Sequence, residues 1–258
     1  MDQNLTPYFS IIITIYNGAL TIEETLISIY NQNCKDFELL IYNDGSIDNT
    51  NLLLSELQSR YKFKYFNHSR TGRIELLNLG LKQACGKYIC ICDCDDIWHP
   101  SKLEFQHDFF ENNKNIKFVS TLSNTFTKLY KFDTYTKYET NIIKKLPLWI
   151  YNRISHSSIC FENGLFVYPK ETIHDYYIYL TLIHKNIILF EIQSVLTYNR
   201  IHANQKFESG GWSYRKAVLS MQINFMFSHK KYIYAPLLFF KLLYYLFFAK
   251  YRRFYKSK

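Results

Sequence analysis

Two hydrophobic periods alternate along the first 120 residues. Phe9–Ile15, Phe37–Tyr42, Phe63–Phe66, Tyr88–Cys92 and Ile116–Thr121 are short apolar or aromatic runs that read as buried strands. Helical spacing fills the gaps between them. Thr21-Ile22-Glu23-Glu24 has the pattern of a capping box and opens a helix with Ile22, Leu26 and Ile29 on one face. Asp48 is placed to cap a second helix through Ser59, and Arg73–Ala84 forms a third, stopped near Gly86. A second capping box, Ser101-Lys102-Leu103-Glu104 after Pro100, starts a helix to Asn112. Strands alternating with helices predict an α/β fold with a mostly parallel sheet and right-handed crossovers. Such sheets bind ligands at the carboxyl ends of their strands. The turn Asn43–Ser46 and the acidic run Asp93–Asp96 both lie at such ends, so they are expected to share one crevice.

The pattern loosens from Asn124 to Pro169. It returns as a helix over Asp175–Lys185, with Tyr176, Tyr179, Leu180 and Ile183 as its apolar stripe, and as a strand-like run over Ile187–Tyr198. Gln205–Trp212, with Ser and Gly, reads as a loop. A catalytic domain over residues 1–205 followed by a helical tail over 206–258 is the expected organisation.

Composition and charge narrow the class. Apolar residues make up 48% and aromatics 18%, which excludes a disordered chain. The net charge of +9 is unevenly spread. Eight of the 31 basic residues lie between Lys230 and Lys258, where no acid occurs, leaving 23 cations against 22 acids before them. Met1–Pro7 is polar and the apolar run after it is too short for a secretory h-region, so a cytoplasmic protein with reduced thiols is expected. Cys90, Cys92 and Cys94 alternate along a strand without a CxxC pair and read as packed small hydrophobes rather than zinc ligands.

Asp93-x-Asp95-Asp96 is the strongest local signal for chemistry. Three carboxylates that converge require a cation, and hard oxygen ligands suit Mg²⁺ or Mn²⁺ with substrate phosphates completing the octahedron. The same run also reads as an acidic turn that caps the next helix. Asp44, at a strand end, is either a ligand for a base or ribose or an ordinary turn residue. Arg73 is either a phosphate contact or a solvated helix-start cation. No GxxxxGK[ST], GxGxxG, GxSxG or HExxH motif is present, so a nucleotide would be held by acids and metal.

Taken together, these segments resemble the family 2 glycosyltransferases of GT-A fold, from Ser10 to about His202. The resemblance is carried by Ser10–Asn17 (SIIITIYN), Thr25–Gln32 (TLISIYNQ), Phe37–Ser46 with Asn43 in place of the family's first Asp, Gly72–Gly80 with Ala84–Ile89, Asp93–Glu104, and Tyr198-Asn-Arg-Ile-His202. It implies a twisted, mostly parallel sheet flanked by helices, with a Rossmann-like nucleotide-binding half. It implies inverting transfer of a sugar from a nucleotide-sugar, expected to be a UDP-sugar, to a hydroxyl of a glycan or lipid-linked glycan. Bacterial lipopolysaccharide, O-antigen or capsule synthesis is the setting it suggests. By resemblance, Thr14 and Tyr16 line the base pocket, Asp44 accepts from the nucleobase, Arg73 contacts phosphate, and Asp93 contacts ribose or metal. Asp95 binds Mn²⁺ or Mg²⁺, with His202 as a further metal ligand or a phosphate contact. Asp175 is the catalytic base, with His174 standing where the family has Glu. The Gln-x-x-Arg-Trp element of processive synthases is missing, which favours addition of a single sugar.

Tyr232–Ala249 carries one charge, Lys241. On a helix, Lys241, Tyr245, Arg252 and Lys256 fall within about 60° at roughly 100° per residue. That suits a helix in the headgroup region of an anionic membrane, and so a peripheral association with the inner face of the cell membrane; a helix packed on the domain is the alternative. Competing functions are a sugar-nucleotide nucleotidyltransferase, which would need a Gly-rich, Lys-containing loop absent here, and a non-catalytic membrane-associated protein of the same fold. Nucleic-acid binding is disfavoured because the cations are confined to an apolar tail.

Overall fold

The computed structural model describes residues 6–127, 131–170, 174–201 and 212–256. Its first hundred residues follow the predicted alternation: β1 (Phe9–Ile15), α1 (Ile22–Tyr30), β2 (Phe37–Asp44), α2 (Thr50–Leu57), β3 (Lys64–His68), α3 (Arg73–Gln83) and β4 (Tyr88–Asp93). A short β5 (Ile97–Trp98) leads to α4 (Lys102–Asn112) and β6 (Phe118–Phe126). Then come β7 (Thr140–Ile142), α5 (Lys145–Ile150), a 3₁₀ turn over His156–Ser158, β8 (Cys160–Glu162), α6 (His174–His184) and β9 (Phe190–Arg200). The chain continues in α7 (Trp212–Ser228) and α8 (Ala235–Lys256).

The sheet runs β3-β2-β1-β4-β8-β6-β9-β5, with β7 on β9. β1 to β4 are mutually parallel where they pair, as expected for strands joined by helical crossovers. β1 is buried along its whole length between helical layers, which accounts for its unbroken FSIIITI run. The second half of the sheet is mixed: β8 is antiparallel to β4 and β6, while β6 and β9 are parallel. The irregular Asn124–Pro169 stretch supplies β7, α5 and β8, elements too short to carry a period.

Neither capping box forms: the Thr21 hydroxyl turns to the Cys94 carbonyl at 3.0 Å, and Ser101 makes no side-chain cap bond. Thr21 therefore ties α1 to the acidic turn. Lys102, placed in the second box, is wholly buried, its Nζ donating to Gln106 Oε1 at 3.1 Å and lying 3.8 Å from the Trp98 ring centroid. Burial pushes its ammonium down, because the charged form loses its hydration. The six cysteines are free thiols, with Cys90, Cys92 and Cys160 buried as small hydrophobes.

The chain forms two compact units. The first comprises Met1–Ile143, Ile154–Tyr168 and Asn186–Ile201 and contains the sheet. The second comprises Lys144–Arg153, Pro169–Lys185 and His202–Lys258. The division is thus not a cut near residue 205, because α5 and α6 leave the sheet unit and join α7 and α8. Within this unit Gln222, fully buried on α7, donates to Trp149 O at 2.5 Å and Tyr176 Oη at 2.8 Å. Lys241 Nζ donates to Ile150 O at 2.6 Å and to Gln222 Oε1 at 2.7 Å. Lys241 and Tyr245 were expected on a lipid-facing cationic stripe, and the structure corrects this for Lys241. Its side chain fixes α8 to α5 and α7, because two carbonyl oxygens there need a donor. Phe239, Phe240 and Tyr244 are exposed instead, at 57%, 66% and 55%. Among the described residues no helix is long and apolar enough to cross a membrane.

Candidate active site

The strand order reverses at β1: β2 lies on one side and β4 on the other. Open α/β sheets leave their ligand crevice outside the carboxyl ends of the two strands at that point. Thr14, near the end of β1, is the register partner of Asp93 at the end of β4 and of Tyr42 on β2. The sheet therefore brings Thr14, Asp93 and, one step further along β2, Asn43 and Asp44 to one edge of the first unit.

Asp93 is the centre of a polar cluster. Its backbone N–H donates to Ser157 Oγ at 2.9 Å, and its carboxylate forms an ion pair with Arg73, the first residue of α3. Arg73 also reaches His156 Nδ1 at 3.0 Å, and His156 Nε2 meets the Tyr168 hydroxyl at 2.9 Å. Burial alone would raise the Asp93 carboxyl, but the Arg73 charge outweighs it and holds Asp93 well below the usual carboxylate range. Burial likewise disfavours the Arg73 charge, and Asp93 more than restores it.

The other two carboxylates of the run have different environments. Asp96 is buried and accepts from Asn199 Nδ2 at 2.7 Å and from Arg200 N at 3.1 Å, both at the end of β9. Its burial, and next the charges of Asp93 and Asp95, push its carboxyl up. Arg200 Nε closes the turn from outside by donating to Asp95 O at 3.0 Å, and its guanidinium pairs with Glu24. Asp96 is thus a structural clamp, and Asp95 stays partly exposed. Among the described residues no three His, Cys, Asp or Glu side chains converge on one point. With Asp96 engaged by β9, the carboxylates of the run that could reach a cation are Asp93, already paired with Arg73, and Asp95. Two hard oxygen ligands are too few for a protein-only cage, and they suit a Mg²⁺ or Mn²⁺ ion that shares its remaining positions with phosphate oxygens and water. His202 lies outside the described residues.

Asp44 is 4% exposed and heavily engaged. Its Oδ1 accepts from Thr71 N at 2.7 Å and Gly72 N at 2.8 Å, and its Oδ2 pairs with Arg70 Nη1 at 2.5 Å. It thereby holds the turn that launches α3 and Arg73. The Arg70 guanidinium lies over the Tyr16 ring, 3.5 Å from its centroid, and so lines the crevice beside the residue expected at the base. Gly45 faces Arg70 here with φ of +67°, and a Cβ would stand 2.8 Å from Arg70 N. Only glycine fits that approach.

Asp175 belongs to the second unit, in the first turn of α6, where the helix dipole favours a negative charge. Asn152 Nδ2 donates to its Oδ2 at 3.3 Å. Of the predicted site residues, Thr14, Tyr16, Asp44, Arg73, Asp93 and Asp95 all fall in the first unit around the ends of β1, β2 and β4. Residues not anticipated there are Arg70, Tyr168 and Asn199. His156 and Ser157 lie in the polar stretch Asn152–Ser158 (NRISHSS), which as a sequence reads as an approach to the acceptor, and the structure sets them beside Asp93 and Arg73.

Sheet order, flanking helices and carboxylates at the β4 end define a GT-A fold, the architecture of nucleotide-sugar transferases. Solved structures agree on the fold. TarS residues 1–349 from S. aureus, in complex with UDP-GlcNAc, aligns with a TM-score of 0.65 at 15% identity, covering 84% of this chain and 66% of that one. The mannosyltransferase PcManGT from Pyrobaculum calidifontis, in complex with GDP-Man and Mn²⁺, gives 0.64 at 14% identity, covering 96% and 76%. The chain belongs to glycosyl transferase family 2, whose model matches residues 10–187. Over 107 residues it is 38% identical to an uncharacterized glycosyltransferase of Rickettsia felis, covering 42% of this chain and 18% of that protein. Over 148 residues it is 34% identical to the UDP-Glc:alpha-D-GlcNAc-diphosphoundecaprenol beta-1,3-glucosyltransferase WfgD of Escherichia coli, covering 51% of this chain and 57% of that protein. The chain thus spans less than a fifth of the length of the first curated relatives it matches.

Proposed function

We propose that the chain is an inverting glycosyltransferase that moves a sugar from a UDP-sugar to a hydroxyl of a lipid-linked glycan in bacterial surface-polysaccharide synthesis. The observation that carries the donor site is the pairing of Thr14 with Asp93 at the point where the strand order reverses, with Arg73 on the Asp93 carboxylate. A guanidinium and a carboxylate pair at that edge match a diphosphate with its counter-cation. The acceptor class is taken from the E. coli relative, whose name specifies a GlcNAc-diphosphoundecaprenol acceptor.

In this reading Tyr16, with Arg70 stacked on it, borders the base, and Asp44 fixes the loop beneath. Asp175 takes the proton of the acceptor hydroxyl as that oxygen attacks the anomeric carbon from the face opposite the nucleotide. The bond from that carbon to the diphosphate breaks in the same step, so an α-linked donor gives a β-linked product. General-base assistance contributes about 10²–10⁴ in rate, roughly 3–5 kcal/mol. Arg73 holds the charge that develops on the departing diphosphate. A Mn²⁺ or Mg²⁺ ion on Asp95 and Asp93 would supply Lewis-acid stabilisation to the same oxygens when bound.

The tail supports a location at a membrane surface. Residues 230–258 carry eight cations and no acid, and Ile233, Phe239, Phe240 and Tyr244 are exposed. An apolar face flanked by cations fits the headgroup region of an anionic bilayer on the cytoplasmic side. Replacing Phe239, Phe240 and Tyr244 by Ser leaves the Lys241 contacts in place and is expected to shift the protein from membrane to soluble fractions. Unchanged partitioning would sink the membrane assignment. For the transfer itself, UDP-Glc, UDP-Gal, UDP-GlcNAc and UDP-GalNAc are incubated with the chain and free UDP is measured. Release from at least one supports the reading; release from none of them speaks against a UDP-sugar donor.

A further inference from the structure

The Arg73 guanidinium belongs to a closed ring of hydrogen bonds that begins and ends on α3. Arg73 reaches His156 Nδ1 at 3.0 Å, and His156 Nε2 reaches the Tyr168 hydroxyl at 2.9 Å. The backbone of Tyr168 is gripped twice by Asn78, one and a half turns along α3 from Arg73. Tyr168 N donates to Asn78 Oδ1 at 2.7 Å, and Asn78 Nδ2 donates to Tyr168 O at 2.9 Å. His156 and Tyr168 are buried, at 8% and 3% exposure, whereas the Arg73 side chain is 39% exposed and so open to a ligand.

Donor chemistry settles the roles around the ring. A guanidinium only donates, so His156 Nδ1 is the acceptor and its proton sits on Nε2, which donates to the Tyr168 oxygen. The imidazole is therefore held in one tautomer by Tyr168 and presents its lone pair to Arg73. Arg73 is a long side chain whose ordering costs rotamer entropy. A guanidinium pinned by His156 and Asp93 before a ligand arrives avoids that cost on binding.

We propose that His156 and Tyr168 are positioning residues for Arg73: with Asn78 they hold its guanidinium across Asp93 in the orientation that receives the diphosphate of a nucleoside diphosphate. This rests on the reading that the crevice takes a nucleotide-sugar. Neither residue touches the reacting atoms; each acts through Arg73.

The test compares UDP with uridine, which lacks the diphosphate. UDP binding is measured by titration calorimetry and uridine binding by ligand-observed NMR, for the wild type, His156→Leu, His156→Asn and Tyr168→Phe. His156→Leu is expected to weaken UDP about 5- to 10-fold, the size of an ordinary coupling between contacting residues, and to leave uridine unchanged. His156→Asn, whose amide oxygen can replace the Nδ1 acceptor, is expected to stay within about threefold of the wild type. Tyr168→Phe removes one hydroxyl and remains informative even if His156→Leu folds poorly; it is expected to weaken UDP about threefold with uridine unaffected. In an Arg73→Ala background, His156→Leu is expected to have no further effect on UDP. Equal losses for UDP and uridine, or unchanged UDP binding in Tyr168→Phe and His156→Leu, overturn the positioning role. A wild-type protein that binds no UDP instead removes the nucleotide reading itself, and the two failures are told apart by that measurement.

Discussion

Asp44→Asn changes one atom and separates a structural role for this residue from a purely ligand-binding one. The carboxylate takes two backbone donors on Oδ1, from Thr71 and Gly72 at 2.7 and 2.8 Å, and the Arg70 guanidinium on Oδ2 at 2.5 Å. In the variant the amide oxygen can keep Thr71 and Gly72, but both bonds lose charge assistance, which in a buried site is about 1 kcal/mol for each. The amide NH₂ then faces Arg70, donor against donor. Arg70 is 59% exposed and can turn to water, so losing this pair costs no more than about 1 kcal/mol. The total is about 2–3 kcal/mol, or roughly 4–12 °C in Tm for a protein of this size. Asp44→Ala leaves both backbone donors unpaired and is expected to cost more, while Arg70→Ala alone is expected to cost less than about 1 kcal/mol. Thermal unfolding followed by circular dichroism gives the order Asp44→Ala, Asp44→Asn, Arg70→Ala from most to least destabilised. An Asp44→Asn midpoint within about 1 °C of the wild type would show that the carboxylate does not hold the loop, and would leave only a ligand role for it.

Three further outcomes follow from the same chemistry. Asp175→Asn is expected to retain UDP binding and to lose at least about a hundredfold in turnover; near-normal turnover removes Asp175 from the role of base. Chelator is expected to abolish transfer and Mn²⁺ or Mg²⁺ to restore it, so chelator-insensitive transfer would contradict a metal on Asp95 and Asp93. Burial pushes the Lys241 ammonium down to about 8, while in the unfolded chain it titrates near about 10.4. Between those values the unfolded state binds more protons, so stability rises with pH. Relative to Lys241→Met, the wild type is expected to gain about 1–2 kcal/mol from pH 7 to pH 10, after allowance for solvent screening. Parallel urea-denaturation curves at the two pH values would refute it.

The legible and illegible parts of this chain differ in the range of the interactions that determine them. β1, β2 and β4 and their helices are short-range patterns, and the unbroken apolar run of β1 already implied burial on both faces. Thr14, Asp44 and Asp93 could be placed near each other because strand ends in a parallel sheet converge. The roles of their side chains could not be read in the same way. His156 lies 83 positions from Arg73, and Asn199 lies 103 positions from Asp96, in stretches with no regular period of their own. The acidic run illustrates the difference. As a sequence it is three like charges; in the fold, Asp93 is neutralised by Arg73, Asp96 is clamped by β9, and Asp95 remains at the surface. The capping boxes failed for a related reason. Thr21 had a tertiary acceptor in the Cys94 carbonyl that local pattern does not reveal. On α8 the helical period grouped Lys241 with Tyr245 correctly, but a period shows which residues share a face and not which face is covered. The Ile150 carbonyl and Gln222 decided that.

The most direct measurement is a crystal structure of the chain with UDP and Mn²⁺ bound. The diphosphate is expected beside Arg73 at the ends of β1 and β4, the metal on Asp95 and Asp93, and the base alongside Tyr16. UDP bound away from the Thr14–Asp93 edge, or a diphosphate that contacts neither Arg73 nor the metal, would contradict it.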